Sequence, residues 1–243
     1  MTEPRSSTGR VARRNPIDVC VSAIAQTVAW LLMSLLLAIV VECIGMVYWW
    51  PELGPTHSER LTAVELSYLE TDLRQSVICE APLPFARGVE NWLHHYLFEA
   101  THVIDLPRWN SPTLTSSDSG LRANYSVVRR SVARFVMAAM HVTDTFALRL
   151  SILLLSVPVF AVFGAVALID GLVQRDVRRW SGGRESSFIY HWAKRSTLPL
   201  LVVCGVGYLA SPFSVRPSVG VLPVAVVFAI TVLITASSFK KYL

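Results

Sequence analysis

Between Val19 and Val47 the chain has 29 residues and one charged side chain, Glu42. About 20 apolar residues are enough to cross a hydrocarbon core, so this run reads as a transmembrane helix with length to spare. The rest of the composition agrees. Only 16% of the 243 residues are charged and mean hydropathy is +0.47, whereas soluble domains carry about 25% charged residues. Asn15, Pro16 and Asp18 suit an N-cap, a first helical residue and a first-turn acid. Tyr48, Trp49 and Trp50, followed by Pro51, have the character of an interfacial aromatic belt. A cleaved signal peptide is the competing reading, because Arg10, Arg13 and Arg14 precede the run. Its apolar core exceeds the usual length of about 7–15 residues, which favours a retained anchor.

Three further runs follow. Leu150 to Ile169 contains no charge, is bracketed by Arg149 and Asp170, and holds Pro158, which is expected to kink it. Thr197 to Ala210 is short, yet a helix beginning near Ser187 would span if Lys194 and Arg195 snorkel to the interface. Val219 to Ala236 is followed by Lys240 and Lys241. The expected fold is an all-α membrane protein with four transmembrane helices, over 19–50, 148–169, 197–210 and 219–237.

Orientation follows from Lys and Arg in the short flanks. Residues 1–18, the loop 170–196 and the tail 238–243 together hold 12 of the 22 basic residues, which makes them cytoplasmic. Residues 51–147 carry eight Arg against eleven Asp and Glu. In a bacterium that segment and the turn 211–218 would be periplasmic, and the protein a multi-pass inner-membrane protein with both termini cytoplasmic.

Within 51–147 the pattern predicts a small all-helical cap. Thr56, His57, Ser58 and Glu59 have the form of a capping box, and Leu61, Val64, Tyr68, Leu69, Leu73 and Val77 recur at helical spacing, predicting a helix from about Ser58 to Cys79. Pro82 and Pro84 are expected to stop it. A second helix is expected from Arg87 to Ile104, then an exposed loop over residues 108–120. From Tyr125 apolar positions spaced by three and four predict one helix continuing to about Trp180, ~80 Å long.

Chemistry is sparse. His95, Glu99 and His102 are spaced i, i+4, i+7 on one helix face, a set that could offer zinc ligands, although one helix rarely completes a site and a polar solvated face is the favoured reading. Cys20, Cys43, Cys79 and Cys204 show no ligand spacing, and Cys43 with Cys79 is the one plausible disulfide. Glu42 lies within a span, about two turns below the level of Arg149. The expectation is an ion pair between Glu42 and Arg149 locking the first two spans, the alternative being a proton or ion pathway. No cofactor is implied, and neither H-E-x-x-H, G-x-S-x-G, a P-loop nor a dinucleotide fingerprint occurs, so the chain is expected not to be an enzyme.

The loop from Asp170 to Arg195 is dense in Arg175, Arg178, Arg179, Trp180, Arg184, Glu185 and Tyr190. Positive charge alone serves topology and anionic lipid. Aromatic residues among arginines are what protein interfaces favour, so these seven are the expected partner-binding residues.

The stretch from Ile169 through Asp170, Gly171, Leu172, Val173, Gln174, Arg175, Asp176, Val177, Arg178 and Arg179 to Trp180 carries a resemblance. So do Gly183 to His191 and Lys194-Arg195. Together they resemble the signature of the integrating-conjugative-element membrane proteins. The resemblance implies four spans, no catalytic motif, and a place among type IV secretion genes of conjugative elements beside the coupling-protein ATPase. The expected function is therefore a non-enzymatic interaction subunit for DNA transfer, with membrane lipid and that ATPase as partners, no direct nucleic acid, and a possible homo-oligomer. The alternative is a membrane sensor or ion-transport accessory with a ligand site in the cap.

Overall fold

In a computed structural model of the protein, residues 16–72, 81–103, 120–180 and 187–238 are described, and among them every regular element is helical. The helices are α1 (Pro16–Tyr48), α2 (Thr56–Asp72), α3 (Pro82–His94), α4 (Gly120–Leu155), α5 (Val157–Trp180), α6 (Ser187–Leu209) and α7 (Pro217–Ser237). A π-helical turn, His95–Glu99, extends α3. Three stretches are long and apolar enough to cross a membrane: Ile17–Tyr48, Val128–Trp180 and Pro217–Ser237. The apolar part of α6, Pro199–Leu209, falls short of that length, so three spans rather than four are evident.

The long helix expected from Tyr125 to Trp180 is two helices. The break falls at Ser156, where Pro158 lacks the N–H that would bond back into the preceding turn. The Ser156 hydroxyl donates to Ile152 O at 2.6 Å, and the Ser156 N–H to the same oxygen at 3.0 Å. Pro82 and Pro84 open α3, where a missing N–H costs nothing; residues 73–80, over which the preceding helix was expected to end, lie outside the described residues. Nor does the capping box form. Thr56 lies inside α2, and Thr56 Oγ1 and Ser58 Oγ donate back to Leu53 O and Pro55 O.

A separate cap is not evident in the described parts of the segment between α1 and α4, which are α2, α3 and the turns beside them. One apolar face of each helix, with Leu66 and Leu69 of α2 and Leu83 and Ala86 of α3, packs against the long helices. α1 and α4 are antiparallel: Leu35 packs with Phe146 and Leu209, and Ala38 with Val142 and Ala210. From the turn at Trp50–Pro55, α2 folds back along α4. Thr62 Oγ1 meets Thr145 Oγ1 at 2.8 Å, and Leu69 packs with Leu148 and Ile152. α3 then returns, with Ala86 in that same cluster and His94 Nδ1 3.0 Å from Asp144 Oδ1.

α5 and α7 pack extensively side by side. Helices in lipid gain no hydrophobic drive from pairing, so close backbone approach has to supply the contact. Gly171 provides it: a Cβ there would lie 2.7 Å from Ala236 Cβ and 2.8 Å from Leu233 O. Phe160 and Phe228 meet edge to face at 6.0 Å near the other end.

Candidate functional site

The apolar bundle is interrupted at three places, and these are the candidates. The first centres on Arg149 of α4, 1% exposed. A charge so buried needs every donor satisfied. Nε and Nη2 donate to Glu65 Oε1 at 3.1 and 2.8 Å, Nη1 to Tyr208 O and Ser211 O at 3.1 and 2.6 Å, and Nη2 also to Phe213 O at 2.7 Å. One guanidinium thus ties α2, the end of α6 and the turn into α7 onto α4. Glu65 is fully buried, and that burial pushes its carboxyl above the ordinary range against the opposing pull of Arg149 and the Val215 amide.

The expected pair between Glu42 and Arg149 is therefore not formed. α2 packs along α4, and its first turn reaches α1, so it supplies each of the two charges with a nearer partner. Glu42, 3% exposed, lies with Oε1 3.1 Å from His57 Nδ1, and the His57 ring stacks on Trp50 at 4.0 Å. Trp50 turns back over Gly45, where a Cβ would collide with the indole. The signal for Glu65 was present in the sequence: it lies between Leu61 and Leu69 at i±4, an acid inside an apolar stripe. His57 gave no such signal, because the capping-box pattern accounted for it.

The expected metal ligands do not come together as a site. His95 Nδ1 and Glu99 Oε2 pair at 2.6 Å, both more than half exposed. The π-turn and a left-handed His102, with φ +56°, break the shared face. Among the described residues no group of three His, Cys, Asp or Glu is placed to hold a metal. A more buried acid stands on α3: burial and nearby Asp144 push Glu90 upward, against Arg87 and His94. Cys43 is a free thiol, and Cys79 lies outside the described residues.

The third place is the end of α5 beyond Asp170. The helix continues for eleven residues past the apolar run, to Trp180, and Val173, Val177 and Trp180 form an exposed stripe, Trp180 at 92%. Arg175, half-buried, reaches Asp176 at 3.4 Å, and Arg178 and Arg179 occupy the last turn, where cations complement the helix dipole. Arg184 and Glu185 lie outside the described residues, and Tyr190 is in the first turn of α6. Among the described residues this place presents charge and apolar surface.

No curated protein and no solved structure matches the chain. A family model does, described as IncC plasmid conjugative DNA transfer protein DtrJ-like, and it matches residues 49–240, most of the chain. It covers all three candidate places except Glu42 and Gly45. The conjugative part of the resemblance agrees with it, although the matched family is a plasmid one rather than one of integrating elements. The chain belongs to the DtrJ-like family of conjugative DNA transfer proteins.

Proposed function

We propose that the protein is a non-enzymatic inner-membrane subunit of a type IV secretion apparatus for conjugation, and that the region from Asp170 to Arg195 docks the cytoplasmic coupling ATPase. In this reading the chain crosses the membrane four times, α6 being completed by snorkelling of Lys194 and Arg195. Both termini and the Asp170–Arg195 region are cytoplasmic, and α2 and α3 lie on the periplasmic side. The observation that carries the reading is the end of α5. An apolar stripe ending in a 92% exposed Trp180, flanked by arginines, extends beyond the apolar run in a chain of a DNA transfer family. Exposed aromatic and arginine surface of this kind is typical of binding hot spots.

The test replaces Trp180, Glu185 and Tyr190 with Ala, which retains every positive charge and so leaves the topology signal intact. The triple variant is expected to insert at normal levels yet lose co-purification with the ATPase and transfer DNA poorly. Wild-type transfer with an unchanged pull-down would restrict the loop to topology and lipid attraction. Reporter fusions at Ser117 and Gly183 should read opposite sides of the membrane.

A further inference from the structure

One face of α3 is left exposed by the described residues. Phe85, Trp92 and Tyr96 are 38%, 59% and 56% exposed and follow at i, i+7 and i+11, one stripe about 16 Å long. The Trp92 and Tyr96 rings touch, with centroids 4.9 Å apart. The opposite face sets the depth of this stripe. At the Phe85 end, Leu83 and Ala86 pack in a cluster with Val221 of α7 and Phe160 of α5, both inside apolar spans. At the other end, His94 bonds Asp144, a polar level of α4. The stripe therefore rises from the level of the apolar spans to a polar level, with the ring that lacks a polar atom at its deep end. Trp and Tyr, each with an apolar body and a polar tip, stand at its shallow end.

We propose that α3 is an interfacial anchor whose Phe85, Trp92 and Tyr96 stripe is seated in the lipid leaflet next to it, between the acyl chains and the headgroups. The occupant is lipid, because the face is continuous with contacts to the spans and its aromatic order follows the polarity gradient of a leaflet. α2 lies at similar depth with Glu59, Arg60 and Glu70 exposed, so the pair would sit at the headgroup layer rather than cross it. The inference rests on reading α5 and α7 as membrane spans.

The full chain, with its four cysteines replaced by serine, would carry one cysteine labelled with an environment-sensitive fluorophore, in vesicles of neutral phospholipid. Trp92→Cys and Tyr96→Cys are the test sites, Arg60→Cys the aqueous control and Val162→Cys, on the exposed face of α5, the span control. The expected result at 92 and 96 is blue-shifted emission, strong quenching by lipid with a nitroxide near the headgroup, and weak quenching by iodide. Position 162 should respond best to a nitroxide near the chain end. Strong iodide quenching at 92 and 96 overturns the proposal, as does protection from both quenchers, which would mean that protein covers the face. Iodide quenching at 162 would instead overturn the reading of α5 as a span.

Discussion

Arg149 and Glu65, 84 positions apart in the chain, meet with Nη2 2.8 Å from Oε1 in a place neither shares with water. Removing one partner of a buried pair costs about 3–5 kcal/mol, since the other charge is left uncompensated. The two sides are not equivalent here. Glu65→Leu leaves the guanidinium three carbonyl acceptors, whereas Arg149→Met strands Glu65 and those three carbonyls together. Arg149→Met is therefore expected to lower the melting temperature in detergent more than Glu65→Leu. Equal losses would mean that the bonds to Tyr208, Ser211 and Phe213 contribute little.

A double-mutant cycle separates the two acidic sites. Glu42→Gln and His57→Phe are expected to be non-additive, by about 0.6 kcal/mol if the contact is an average intramembrane polar one. Glu42→Gln and Arg149→Met, which touch no common group, should add.

Glycines give a packing test. Gly171→Val forces side-chain atoms into Ala236 and the Leu233 carbonyl, and should lose about 1–3 kcal/mol of stability. Gly207→Ala meets nothing within 4 Å and removes a flexible residue from a helix, so it should be neutral or stabilising by up to about 1 kcal/mol. Thermal denaturation in detergent ranks them, and the reverse order would refute the close approach of α5 and α7.

Glu90 predicts a pH dependence. Burial first and Asp144 second raise its pKa in the folded protein. The folded state thus holds that proton more tightly than the unfolded chain. The resulting stabilisation is complete below the ordinary carboxylate value and is lost as pH rises through the raised one. Glu90→Gln, which stays neutral, should match the wild type at low pH and become relatively more stable toward neutrality. A difference that stays flat with pH would contradict the burial of this acid.

Hydropathy made α1, α5 and α7 legible, because a run of apolar residues has few places to go in a bilayer. The start of α6 at Ser187 was legible as well. What the pattern concealed was direction and partnership. Pro82 and Pro84 can end one helix or begin the next by the same chemistry, and the pattern did not show that Leu83 and Ala86 just after Pro82 would pack with Leu148 and Ile152 of α4. Glu42 and Arg149 were each correctly suspicious as charges beside apolar runs. Their partners came from α2, whose placement depends on a turn at Trp50–Pro55 that local periodicity does not report.

The five bonds of Arg149 also set an order on biogenesis. Tyr208, Ser211 and Phe213 are made 59, 62 and 64 residues after it. At about 5–20 residues per second the ribosome supplies them roughly 3–13 s later. Until then three of its five bonds have no acceptor, and Glu65 of α2 is the side-chain partner it can reach. The end of α6 and the turn into α7 therefore act as a clasp, completing with three backbone carbonyls the set of acceptors that Glu65 alone leaves unfinished.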